Sequence, residues 1–307
     1  CPKCGPHVWY QRNDNSSTYD KESALTQTAK DLADGMIVAI KGLGGFHLAV
    51  DAYNDEAVKR LRQRKRREEK PFAVMAQNIE VLNEMVYLSE EEKNLITSFA
   101  RPILLLKKKN CNIAESVAPN NKRLGAMIAY TPLHHILLKK FEKRTKNFPP
   151  VLVMTSANFS EEPIEITNEG ANQRLSEVAD GFLFHNRDIL IRADDSVAMF
   201  VNNKPRIIRR SRGFVPRPFF TKKKGVAILG VGAELKNTIC LLKDDQAFVS
   251  QHIGDLTNYS AHKFFKETIA YQQKIIDYKA EYVGYDLHPD YLSTRWAKEE
   301  SELPSFG

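Results

Sequence analysis

The 307-residue chain is 42% apolar and 27% charged, with a formal net charge of +7, so it has material for ordinary buried cores and more length than one small domain needs. It holds no apolar run of about 18 residues, which excludes a membrane-spanning helix, and its first residues lack a basic-then-apolar signal pattern; the expectation is a cytoplasmic protein with no membrane partner. The positive excess suits an anionic partner such as a nucleotide, a phosphate or RNA, without choosing among them.

Four cysteines occur, and only Cys1 and Cys4 are close, in "CPKCGP". That spacing is one knuckle of a structural zinc site, which needs two further ligands. His7 is a possible third, against the reading of a stray surface histidine; Cys111 and Cys240 sit in apolar surroundings and read as buried thiols. The orphaned half-site and the missing initiator Met lead to the expectation that the chain is cut from a longer protein.

Residues 8–20, "VWYQRNDNSSTYD", are polar and read as a linker. "ESALTQTAKDLADG" puts Ala24, Leu25, Ala29 and Leu32 on one helical face and stops at Gly35. "MIVAIKGLGGFHLAVDA" (36–52) reads as strand, glycine bend and strand, and Asn54 caps a helix that runs into a dense basic stretch. The apolar runs 71–76, 102–106, 124–129 and 151–154 alternate with helical stretches such as "TPLHHILLKKF", while "GFLFH", "SVAMF" and "PRIIRR" follow as strands without helices between them. This is α/β patterning around a largely covered, mixed sheet. Residues 212–225, with two prolines and a lysine run, read as an interdomain connector; beyond it come two or three strands with tight turns, a helix over 257–277 and the strand "EYVGYD".

Five constellations bear chemistry. In the first, Lys41, Gly42, Gly44, Gly45 and His47 form a bend where backbone N–H groups and a cation meet an anion; the alternative is a tight turn whose glycines only solve a backbone problem. In the second, eight basic residues lie between Lys59 and Lys70, and Lys65, Arg67 and Lys70 sit where the helix gives way to the next strand, placed to hold a polyphosphate or carboxylate unless the run is a solvated face. In the third, a buried strand delivers Thr155, Ser156 and Asn158 to the sheet edge, as binders or as a cap for the next helix. The fourth sets Asp194 and Asp195 near Arg187 and Arg192, a magnesium site on a nucleotide or a structural ion network, with Arg209, Arg210 and Arg212 as lids. The fifth is "GVGAELKNT" with His252, Asp255, Asp286, His288 and Asp290, phosphate and metal elements or common turn residues.

The segments "KGLGGFHLAVDA", "RKRREEKPFAVM", "RPILLL", "LGAMIAYTPLHHILL", "VMTSANFSEEPI", "HNRDILIRADDSV", "RRSRGFVP", "GAELKNT", "QHIGDL" and "DLHPDYLST" together resemble the HypF family of hydrogenase maturation carbamoyltransferases, in register from Cys1 to the end. The resemblance implies an α/β fold: a YrdC-like twisted mixed sheet with helices, then the first part of an actin-like (ribonuclease H-like) ATPase domain. Its implied domains are the end of a zinc-finger region and linker at 1–20, an adenylate-forming domain at 21–220 and the start of the carbamoyltransferase domain at 221–307. In that family ATP and carbamate, derived from carbamoyl phosphate, give carbamoyl adenylate, and the carbamoyl group passes to the C-terminal cysteine thiolate of HypE on the route to the cyanide ligands of nickel-iron hydrogenase.

Carried over by position, the resemblance assigns catalysis to Lys65, Arg67, Ser156 and Asn158. It assigns ATP and substrate binding to Lys41, Gly42, Gly44, Gly45, His47, Lys70, Thr155, Arg192, Asp195, Arg210 and Arg212, with Mg²⁺ accompanying ATP. Metal ligation falls to Cys1 and Cys4 for zinc and to His252, Asp255 and Asp286. Relatives carry an acylphosphatase domain and paired zinc fingers ahead of this stretch and a longer actin-like domain after it, so carbamoyl phosphate hydrolysis is expected to be absent here. A threonylcarbamoyl adenylate synthase for tRNA modification is the nearest rival, opposed by the "GAELKNT" and "DLHPDY" segments and by Met127, where such synthases place an arginine. An RNA-binding module is a third reading, but the basic helix has no interleaved aromatics, and functional RNA binding is not expected.

Overall fold

The computed structural model describes residues 5–14, 17–145, 147–158 and 162–307. The chain folds as two compact units, the first reaching to Ile208 except for Glu162 and Pro163, which group with Arg209–Gly307 in the second.

In chain order the first unit holds β1 (Val8–Arg12), β2 (Thr18–Asp20), α1 (Lys21–Ala33), β3 (Val38–Lys41), β4 (Phe46–Asp51), α2 (Asp55–Arg64), β5 (Ala73–Ala76), α3 (Ile79–Met85), α4 (Glu90–Thr97), β6 (Ile103–Lys107), β7 (Arg123–Ile128), α5 (Pro132–Glu142), β8 (Val151–Ser156), α6 (Asn168–Arg174), β9 (Gly181–His185), β10 (Val197–Val201) and β11 (Lys204–Arg209). The strands make one sheet in the order β11-β10-β6-β7-β5-β8-β4-β3-β9-β1-β2. It is mixed: β5·β7, β3·β9 and β6·β10 are parallel, whereas β4 pairs antiparallel with both β3 and β8.

Alternation along the strands divides the apolar residues between two faces. Ala39, Leu48 and Val50 pack with Val58 and Leu61 of α2 and with Leu82 of α3, while Val38, Ile40 and Ala49 pack with Leu25 and Leu32 of α1 and Leu138 of α5. The helices start where the sequence supplies acceptors. The side chains of Asn54 and Thr131 accept from Ala57 N and His134 N, and Ser89 with Glu92 forms a reciprocal capping box. Gly35, at φ +83°, ends the first helical segment as expected.

Two expectations are overturned. The stretch read as a linker forms β1 and β2, with β1 antiparallel to β9. Tyr10 is buried and donates to Asp31 Oδ2 at 2.7 Å, and Arg12 grips both oxygens of the same carboxylate at 3.0 and 2.8 Å. The strand is invisible locally because its partners lie in α1 and in β9, remote in sequence. The connector read at 212–225 is also partly strand, since β12 (Phe219–Gly230) pairs antiparallel with β13 (Cys240–Val249).

The second unit continues with α7 (Tyr259–Ile276), β14 (Tyr282–Gly284), α8 (Leu292–Arg295) and β15 (Ser305–Phe306), its sheet ordered β13-β12-β14-β15. The β12·β14 and β14·β15 pairs are parallel, and α7 buries Phe264, Phe265 and Ile269. No helix among the described residues is long and apolar enough to cross a membrane.

Candidate active site

Strand register gathers the predicted residues of the first unit at one end of its sheet. Lys41 stands opposite Phe46, and His47 opposite Ser156, so the ends of β3 and β8 flank the start of β4. Lys65, the C-cap of α2, reaches the same rim: its Nζ donates to Ser156 O at 2.8 Å, to Asn158 O at 2.5 Å and to Asn158 Oδ1 at 3.0 Å. Ser156 Oγ donates to Asn158 Oδ1 at 2.8 Å. Three of the four residues assigned to catalysis therefore meet directly.

Lys65 is only 5% exposed. Burial pulls its ammonium down to about 7, Arg67 and Lys70 add to the shift by repulsion, and Asp194 opposes it. An incoming anion would relieve that cost.

The fourth residue, Arg67, sits differently. Its Nε and Nη2 donate to the carbonyls of Lys70 at 2.9 Å and Pro71 at 2.6 Å, with the guanidinium 4.9 Å from the Phe72 ring centre. Arg62, missed in the sequence because the whole run is basic, organises this turn. It donates through Nη1 to Arg67 O and Glu68 O and through Nε to Ser116 O, stacked 4.7 Å over Phe72. Lys70 is exposed and contributes its charge to the field on Lys65. Thr155 pairs with Leu48 on the α2 side of the sheet, so its hydroxyl does not share a face with that of Ser156.

In the glycine bend, Gly42 N donates to Gly45 O at 2.8 Å, and Gly44 O accepts from Ala193 N at 2.9 Å. A Cβ at Gly44 would collide with the Ala193 carbonyl, and one at Gly45 would stand 2.6 Å from Ile164 Cδ1. Neither these two nor Gly42 has a positive φ, so all three serve close approach rather than left-handed backbone. Lys41 is 2% exposed and donates to His185 O at 3.3 Å; burial lowers its pKa, with Asp188 opposing.

The acidic pair divides. Asp195 Oδ2 lies 2.8 Å from His47 Nε2, with the two residues 8% and 5% exposed, whereas Asp194 lies in the field of Lys65. Asp195 thus forms a buried carboxylate-imidazole pair with His47. Arg192 Nε donates to Ile164 O at 3.2 Å. Sequence spacing could not find the His47–Asp195 pair, because 148 positions separate its members.

Arg210 and Arg212 belong to the second unit, where Arg210 Nη2 donates to Phe214 O and Arg217 O and its guanidinium lies 4.6 Å from the Phe219 ring centre. The metal assignment there is corrected. Asp255 Oδ1 accepts from Lys236 N at 2.6 Å, Asp286 Oδ1 accepts from His288 N at 2.9 Å, and the His252 main chain donates to Arg210 O. Among the described residues no group of three or more His, Cys, Asp or Glu is placed to hold a metal ion, because these carboxylates close turns. Cys1 and Cys4 lie outside the described residues. Cys111 and Cys240 are free, partly buried thiols.

Comparison with known proteins matches residues 30–211 to the Sua5/YciO/YrdC family model, described as telomere recombination, and residues 223–306 to the HypF Kae1-like domain. The chain is 43% identical over 274 residues to the carbamoyltransferase HypF of Rhizobium leguminosarum bv. viciae, covering 89% of this chain and 36% of that protein. Against the Synechocystis HypF it is 44% identical over 287 residues, covering 92% and 36%. A crystal structure of full-length HypF in the phosphate- and nucleotide-bound form superposes with a TM-score of 0.92 at 44% identity, covering 100% of this chain and 39% of that one. The chain thus spans a little over a third of the length of these relatives. With the mixed sheet, the YrdC-like first unit and the actin-like start of the second, it belongs to the Sua5/YciO/YrdC family and is homologous along its length to the HypF carbamoyltransferases.

Proposed function

We propose that the chain activates a carbamoyl group as its adenylate in hydrogenase maturation: carbamate, derived from carbamoyl phosphate, attacks the α-phosphorus of ATP. The new bond joins a carbamate oxygen to the α-phosphorus, the bond to the β-phosphate oxygen breaks, and pyrophosphate leaves with the electron pair. The carbamoyl group then passes to the C-terminal cysteine thiolate of HypE, which displaces AMP. The observation that carries this reading is the junction of the buried Lys65 ammonium with the Ser156–Asn158 turn.

The nucleophile is already an anion, so the first step needs no strong protein base. It needs cations and N–H or O–H donors that gather two negative partners and offset charge in the transition state. Lys65, the Ser156 hydroxyl and the nearby charges of Arg67 and Lys70 are suited to phosphate oxygens, and Lys41 adds a second buried cation beside the bend. Mg²⁺ would arrive on the nucleotide and neutralise its phosphates. A cytoplasmic location is part of the same proposal.

The test is ATP–pyrophosphate exchange. Exchange supported by carbamoyl phosphate plus an added acylphosphatase, and not by threonine with bicarbonate, is expected. The reverse pattern would make the chain a threonylcarbamoyl adenylate synthase, and tight RNA binding without exchange would make it an RNA-binding module.

A further inference from the structure

The His47–Asp195 pair has one nitrogen to spare. A carboxylate only accepts, so the ring nitrogen facing Asp195, Nε2, carries the hydrogen, and in the neutral ring Nδ1 is a lone-pair acceptor. That atom is buried and has no hydrogen-bond partner, on a residue 5% exposed. Buried polar atoms are seldom left so, and one that is left at a rim of ionisable groups marks a place where a ligand completes the bonding. The second observation comes from the bend. A Cβ at Gly42 would stand 2.9 Å from Gly45 O, 3.1 Å from Nδ1 and 3.2 Å from Cε1 of the same ring, so a residue without a side chain faces this edge of the imidazole. Across the β4·β8 pair, Ser156 places its hydroxyl on the same face of the sheet as His47.

We infer that His47 Nδ1 accepts an N–H of the small substrate, so that this histidine selects a carboxylic acid bearing an amide nitrogen, carbamate, over an isostere with a methyl group in its place. Asp195 is the positioning residue: it fixes the tautomer and turns the acceptor edge toward the bend. The inference rests on the proposed function and adds the element of specificity that a set of cations cannot supply. Lysines and hydroxyls hold any small carboxylate, whereas an acceptor left empty by a methyl group penalises acetate.

The experiment uses the chain itself in ATP–pyrophosphate exchange, with carbamate generated from carbamoyl phosphate by an added acylphosphatase and with acetate as the competing acid. His47→Leu should raise the KM for carbamate about 10- to 100-fold and reduce the preference for carbamate over acetate by a similar factor. ATP affinity, measured by equilibrium binding, should stay within about twofold, since the phosphates are held elsewhere. Asp195→Leu, which removes the group that fixes the tautomer, should reproduce the loss. Unchanged carbamate KM and selectivity in His47→Leu would overturn the inference, as would equal losses toward ATP and carbamate. The nitrogen-15 resonance of His47 Nδ1 separates this from the broader reading: a shift on adding ammonium carbamate, but not sodium acetate, supports the acceptor role even if the wild-type chain shows no exchange. No shift in a chain that does exchange refutes it.

Discussion

Each unit carries a glycine-containing turn at the end of a strand, Lys41–Gly45 at the end of β3 and Gly230–Gly232 at the end of β12, and the two use their polar neighbours in opposite ways. In the second unit the groups close the turn itself. Asn237, 2% exposed, donates through Nδ2 to Val231 O and Ala233 O; Asp255 accepts from Lys236 N; Glu234 Oε2 accepts from Leu292 N at 2.8 Å. In the first unit the groups come from separate strands and loops and bind one another across the sheet end, leaving Lys65 held near neutrality and His47 Nδ1 without a partner. Glycine content does not separate a binding rim from a folded turn. A buried cation of unsettled charge does.

The largest test of that contrast is Lys65→Met, which removes the cation and its three bonds to the Ser156–Asn158 turn. Exchange activity should fall about 100- to 1,000-fold, the usual cost of one preorganised donor, with Lys65→Arg recovering only part because the planar fork does not fit three acceptors around a point charge. Near-normal exchange in Lys65→Met would place the chemistry elsewhere. Next comes Gly44→Ala. The added methyl would meet the Ala193 carbonyl, a backbone atom that cannot swing away, and would prise the bend from the segment that delivers Asp195 to His47. A loss of about 3 kcal/mol in urea unfolding is expected, and a stability within about 0.5 kcal/mol of wild type would show that the 193–195 segment gives way freely.

The matching change in the second unit is Asn237→Ala. It leaves one buried and one half-buried carbonyl without their donor and should cost about 2 kcal/mol of stability. Because those bonds stay within the turn, pyrophosphate exchange by the folded fraction should be unaltered. A parallel loss of exchange would mean that the second turn does more than hold its own unit together.

What could be read in the sequence came from local physics. Alternating strands, caps at Asn54 and Thr131, and the stop at Gly35 depend on neighbours a few positions away, and the structure has them. Convergence of Lys65, Ser156 and Asn158 was legible only by combining a helix end with a strand end, both of which the patterns supplied. Strand β1 was not, because Tyr10 and Arg12 are balanced by Asp31 on α1, and a polar strand looks like a linker until its partner is known. The carboxylates of Asp255 and Asp286 have the composition of a metal site; their engagement with main-chain N–H groups leaves no trace in sequence. Arg62 and Arg67 were interchangeable in a basic run, and only the carbonyls they meet separate the organiser of the turn from the residue it organises.

The smallest effect is also the most direct probe of the unsettled charge at the rim. Lys65 lies near 7 in the free chain chiefly because burial disfavours its ammonium. A bound polyphosphate places negative charge beside Nζ and raises that pKa toward its ordinary value, so above about pH 7 binding draws in a proton that the free chain has shed. Below about pH 7 the lysine is charged in both states and contributes no slope. ATP affinity should therefore weaken about tenfold for each pH unit between roughly 7.5 and 9, equal to about 1.4 kcal/mol per unit, and titration calorimetry in buffers of different ionisation enthalpy should register about one proton taken up. In Lys65→Met both the slope and the uptake should vanish while weaker binding persists. A wild-type affinity flat across that range would mean that Lys65 keeps its charge without a ligand, and the first turn would then hold no cation of unsettled charge.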